Sequence, residues 1–159
     1  MVNRGTRDIA ATVLQRFMEG AISNDEFAQK FPRNQDDPAL RAIYSEMWFF
    51  YSDTFEHRLS GKYALNEEQR ANFERCLLFL RSNLEFQWPR PAYRLRYGII
   101  RLLGFGRLLK RREKREMSVG DLEVWPFLRK PDYQVALAKA GEPKDAQDDT
   151  ENASPGAQR

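Results

Sequence analysis

The chain has 159 residues, 42% hydrophobic and 31% charged, with a formal net charge of +3; this length suits one domain with a substantial core. A single cysteine excludes an intrachain disulfide and suits a reducing compartment. One histidine and one cysteine cannot supply the usual zinc ligand set, and no apolar run approaches the roughly 18 residues of a membrane span.

The first element expected is a helix over 7–19, where Ile9, Ala10, Val13, Leu14, Phe17 and Met18 form one apolar stripe and Gly20 stops it. Arg7, Asp8, Gln15 and Arg16 leave no secretory apolar core there, so a cytoplasmic location is expected. Ser23 or Asn24 caps a short helix ending near Pro32. Asp37-Pro38 is an N-cap followed by proline at the first helical position. That helix runs to about Tyr51, with Leu40, Ile43, Tyr44, Met47 and Tyr51 inward and Trp48 and Phe50 widening the face. Residues 53–59 extend it by two turns, before Ser60-Gly61 ends it.

Asn66 and Gln69 have capping-box spacing for the next helix. Its end, Cys76–Leu80, is apolar all round, the pattern of a central buried helix. Trp88-Pro89 and Arg90-Pro91 bias residues 84–91 toward extended structure. Helices are expected over 93–103 and 107–117 around a Gly104-Phe105-Gly106 hinge, and a last one from an Asp132 cap to Ala140. Any β content would be two short strands near 84–88 and 121–125. Residues 142–159 lack apolar side chains to offset ordering entropy and read as a disordered acidic tail. The expected fold is all-α: an irregular five- or six-helix bundle over 1–141, built around the 67–82 helix.

Charge is distributed unevenly. Residues 90–115 hold ten Lys/Arg against the single acid Glu113, a local net of +9, and the rest sums to −6. Arg107, Lys110, Arg111, Lys114 and Arg115 share one helical face, where like-charge i, i+4 pairs cost roughly 0.2–0.5 kcal/mol each. Arg90, Arg94 and Arg101 extend the candidate site toward the N-terminus. Three explanations compete: a solvated face, the acidic tail folding back as counter-charge, or an external acidic partner. Arg90, Tyr93, Arg94, Arg96 and Tyr97 interleave base and aromatic as single-strand binders do. A membrane surface is the weakest option, because Leu102 and Leu103 also complete a core stripe.

Catalytic signals are sparse. His57 has Asp53 at i, i+4 if both are helical, but no nucleophile nearby in sequence; a structural or surface role is expected. Cys76 lies in an apolar turn where burial keeps a thiol inert. The pairs Asp36-Asp37 and Glu67-Glu68 stand where helices begin, and Asp148-Asp149 lies in the tail. No phosphate-binding glycine loop occurs, and no cofactor or metal is expected. Trp48-Phe49-Phe50-Tyr51 cannot all face one way, since successive helical residues turn by about 100°. At least one is therefore exposed or covered by a second element; core is the default, and an aromatic patch for a protein partner is the alternative.

The strings YSDTFEHRL (51–59), RCLLFLRSNLEFQWP (75–89) and GDLEVWPFLRKPDY (120–133) resemble those of small uncharacterised bacterial helical proteins. The resemblance implies a bacterial cytosolic accessory protein, immunity-like in kind, and carries over no functional residue. The expected function is a non-enzymatic protein-interaction module. The alternatives are nucleic-acid binding by residues 90–115 and an enzyme whose site assembles only in the fold.

Overall fold

The computed structural model describes residues 1–33, 36–52, 54–88 and 120–141. Among these residues there are five α-helices and no strand. Helix α1 spans Arg4–Met18, about one turn earlier than its apolar stripe suggests. The cause is local: the Asn3 side chain accepts the Thr6 N–H at 3.1 Å and starts the helix there. Its inner face is Arg7, Ala10, Ala11, Leu14 and Phe17. Ile9, expected inside, is 56% exposed, because the buried arc is rotated to include Arg7.

Gly20, at φ +69°, ends α1 in a left-handed turn. Helix α2 (Asn24–Lys30) starts with a complete capping box, Ser23 with Glu26. Helix α3 (Pro38–Met47) begins as expected at the Asp37 cap, which accepts the Ala39 N–H at 3.1 Å. It stops short of Tyr51: residues 48–50 tighten into a 3₁₀ turn and Tyr51 is extended. Residues 54–59 are irregular rather than two further helical turns.

Helix α4 (Glu67–Arg81) carries the Asn66–Gln69 capping box and buries Phe73, Cys76, Leu77, Phe79 and Leu80. It packs against α1 on one side and α5 (Lys130–Gly141) on the other, the central place its apolar end implies. Helix α5 starts at Lys130, so Asp132 is a first-turn acid rather than the cap; Pro131 is tolerated in the first turn, where its missing N–H has no partner to lose. The segments near 84–88 and 121–125 form no strands. Side chains hold them instead: Trp88 Nε1 donates to the carbonyls of Pro126 and Phe127 at 3.1 Å each, and Phe86 meets Phe79 edge-on.

One buried ion pair braces the helices. Arg7 and Asp37 are 0% and 1% exposed. Arg7 Nε donates to Asp37 Oδ2 at 2.6 Å and Nη2 to Oδ1 at 3.1 Å. Arg7 Nη1 reaches the carbonyls of Ser82 and Leu84, and the guanidinium lies over the Phe79 ring. Arg4 joins it, donating to the carbonyls of Leu80 and Ser82. Two cations thus meet the negative end of the α4 dipole, and the start of α3 is tied to the end of α4 through α1.

No helix among the described residues is long and apolar enough to cross a membrane. The helices expected over 93–103 and 107–117 and the tail 142–159 lie outside the described residues.

Candidate functional site

The irregular segment 51–60 is shaped by Asn24, the first residue of α2, which is fully buried. Asn24 N–H donates to the His57 carbonyl at 2.9 Å, and its Oδ1 accepts the His57 N–H at 2.7 Å. Its Nδ2 donates to the carbonyls of Ser52 and Phe55 at 3.3 and 3.4 Å. These backbone groups would serve a helical ladder if α3 continued; Asn24 takes them, and the chain wraps the α1–α2 corner instead. Ser23 Oγ donates to Glu56, and Arg58 donates to the carbonyls of Gly20 and Ala21, completing the attachment.

The wrap turns aromatic side chains outward. Trp48, Phe49 and Phe55 are 42%, 57% and 47% exposed. Phe50 points inward, edge-on to Phe73 with centroids 5.0 Å apart. The aromatic quartet therefore divides, with two of its four members exposed, across a 3₁₀ turn and an extended Tyr51 rather than an α-helical face. Trp48 stacks on Tyr51 at 4.6 Å, and Tyr51 borders a cleft of about 330 Å³ with Phe49, Phe55, His57 and Tyr63. Tyr63 contacts both Phe55 and His57, at 5.6 and 4.6 Å between centroids. Two donor-bearing side chains complete the rim, Lys62 and Gln69. Lys62 Nζ lies 4.8 Å from the Tyr63 ring centroid. Gln69 Oε1 accepts the Asn66 N–H at 2.9 Å, which leaves its amide N–H groups as the available end.

Among the described residues the buried His57 Nδ1 has no hydrogen-bond partner. Ser52 Oγ pairs with Thr54 Oγ1 at 3.0 Å and accepts the Thr54 N–H, rather than serving His57 as a nucleophile. Residues 54–59 are not helical, and Asp53, the possible i, i+4 partner of His57, lies outside the described residues. Cys76 is buried in α4. Among the described residues no group of three His, Cys, Asp or Glu side chains could hold a metal ion.

A larger open groove, about 680 Å³, lies between α2 and Tyr51. Its two cations already have partners: Lys30 pairs with Glu26 at 2.7 Å, and Arg33 donates to the Ala28 carbonyl and lies over the Tyr44 ring; Asp25 is the third charged residue of its lining. Hydrogen bonding to Lys30 and to the Ser23 N–H holds the Glu26 carboxyl below its ordinary pKa. The groove offers a ligand less than the aromatic cleft does.

The basic residues singled out from sequence (Arg90, Arg94, Arg101, Arg107, Lys110, Arg111, Lys114 and Arg115) all lie outside the described residues. From sequence an aromatic surface is only the alternative reading of Trp48–Tyr51: core is the default, and Trp48, expected to widen the core face of α3, is instead exposed because the chain leaves the helix at the 48–50 turn. The contributions of Asn24, Lys62 and Gln69 were not legible, because each depends on a contact made only in the fold. Neither a protein-family model, nor a curated protein, nor a solved structure matches this chain.

Proposed function

We propose that the protein is a non-enzymatic interaction module that recognises a protein partner through the aromatic surface of Trp48, Phe49, Tyr51 and Phe55. The supporting observation is the exposure of three large aromatics on, or just before, a segment tied by hydrogen bonds to the buried Asn24. Rigid aromatics lose little entropy on docking and are the commonest interface anchors. A bacterial cytosolic setting and an immunity-like role against an acidic or aromatic-binding target fit this reading. The +9 segment 90–115 would add charge steering, which mainly raises specificity and association rate.

The experiment is affinity capture from native lysate with and without nuclease, using the wild type and a Trp48→Ala/Phe49→Ala/Phe55→Ala variant. A stoichiometric partner that survives nuclease and is lost with the variant is expected. Equal capture by both proteins overturns the reading. A second reading rests on the same +9 segment: single-stranded nucleic acid bound by Arg107, Lys110, Arg111 and Lys114. Its mark is affinity falling with salt at a log–log slope of about −0.7 per phosphate contact. Replacing those four residues by Gln would abolish it.

A further inference from the structure

The cleft beside the exposed aromatics has a chemistry of its own. Its volume, about 330 Å³, falls at the small end of the range for ligand sites, roughly 300–1,000 Å³. Its walls are aromatic: Phe49, Tyr51, Phe55 and Tyr63. A planar ring has π faces there to stack against. Its polar groups are not balanced in sign. Lys62 is the only charged residue among the described lining residues, and no Asp or Glu accompanies it. The ammonium has only the Tyr63 ring as a partner among the described residues. Gln69 turns the same way: its carbonyl oxygen is committed to the Asn66 N–H in the capping box, so its amide presents donors. A cation and an amide donor thus border an aromatic floor, and among the described residues neither has an acceptor.

We infer that this cleft is a binding site for a small aromatic carboxylate, with the ring held among Phe55, Tyr63 and Phe49 and the acid group received by Lys62 Nζ and Gln69 Nε2. This goes beyond the protein-partner reading and does not depend on it. The anion matters as much as the ring. A neutral amide of the same shape keeps the stacking but loses the charge-assisted hydrogen bonds, which are about twice as strong as neutral ones.

The test uses the full chain, 3-phenylpropionate and 3-phenylpropionamide, followed by calorimetry and by amide chemical shifts. The acid should bind roughly tenfold more tightly than the amide, with the largest shifts within residues 49–69. Lys62→Met should erase the preference, because Lys62 is exposed on a short turn and its loss leaves the fold intact. Gln69→Glu is the sharper variant. Glutamate preserves the capping-box acceptor but replaces donors by a negative charge, so it should reject the acid and keep the amide. Equal affinities for acid and amide overturn the inference. So does the absence of binding by either at about 10 mM, a concentration that detects even millimolar sites. Shifts centred outside the cleft overturn it as well. None of these results touches capture of a protein partner, so the two readings fail separately.

Discussion

Replacing Asp37 by alanine removes the carboxylate that serves both as the cap of α3 and as the counter-ion of Arg7. The cap alone contributes about 1 kcal/mol. The charge matters more, because Arg7 stays buried: Nε and Nη2 lose their acceptors, while Nη1 keeps the carbonyls of Ser82 and Leu84. Breaking a buried pair from one side costs about 3–5 kcal/mol. With a total stability of about 5–15 kcal/mol, the variant should be markedly destabilised. At roughly 2–4 °C per kcal/mol for a chain of this size, a 4 kcal/mol loss lowers Tm by about 8–16 °C. The assay is urea and thermal unfolding followed by circular dichroism. Asp37→Asn keeps the cap and removes the charge, so it should fall between wild type and Asp37→Ala. The double variant Arg7→Met/Asp37→Asn buries no charge, and methionine can still pack on Phe79. It should be more stable than the sum of its single changes by about 0.5–3 kcal/mol. An Asp37→Ala cost near 1 kcal/mol with additive singles would refute the bracing role and leave Asp37 as a cap only.

Acid should weaken the same brace. Burial pushes the Asp37 carboxyl up, but hydrogen bonds and charge from Arg7, with the N–H groups of Ala39 and Asn3, outweigh it and hold the pKa below its ordinary value. The stability from a depressed carboxyl is complete above the unfolded pKa, about 3.9, and is lost as pH falls through the lower folded value. Urea midpoints measured from pH 6 down to pH 2 should therefore fall below about pH 4, and Asp37→Asn should lack this component. Asn24→Ala removes the partners of the partly buried Ser52 and Phe55 carbonyls and the His57 N–H, at roughly 1 kcal/mol or more; hydrogen exchange should accelerate at His57 before the α1–α4 pair is affected. Gly20→Ala meets a positive φ and the Leu59 carbonyl 3.4 Å away, so it should cost about 1–2 kcal/mol in the same urea assay. Unchanged midpoints would place no strain at that turn.

What could be read in the sequence was what acts over a few residues. Asp37-Pro38 and Asn66 with Gln69 are contacts within one turn, and the structure places both as caps; of Ser23 and Asn24, it makes Ser23 the cap. Arg7 was opaque because its partners lie 30 and 77 positions away, and a lone arginine on an apolar face looks like a solvated flank until Asp37 and Leu84 arrive. The 51–60 segment misled for a related reason. Its own residues permit helix, and only the Asn24 side chain, about thirty positions earlier, offers its backbone a better set of partners. In the cleft, the aromatics were visible as a quartet that cannot point one way, whereas the donor bias of Gln69 follows from a capping box whose functional consequence lies in what it leaves unused.

That pattern bears on why the aromatic surface exists at all. Burying a phenylalanine or tryptophan side chain is worth roughly 1.5–3 kcal/mol, so leaving Trp48, Phe49 and Phe55 about half exposed forgoes stability that other packing would recover. The chain does not expose them through looseness. Met47 is buried, Phe50 is inserted against Phe73, Tyr51 is stacked on Trp48, and the segment that follows is tied to Asn24. Slack packing would leave these side chains free to fold back onto the core, whereas here the backbone between them is anchored on both sides. The hydrogen bonds of buried Asn24 hold the segment that keeps Phe55 in solvent, which is the reverse of what burial of apolar surface alone favours. Exposed aromatics in a contiguous, rigid patch are rare on monomers and mark interaction sites. The buried asparagine and the exposed aromatics are therefore two parts of one arrangement: Asn24 fixes the segment that carries Phe55, and the proposed partner would recover the burial these side chains forgo.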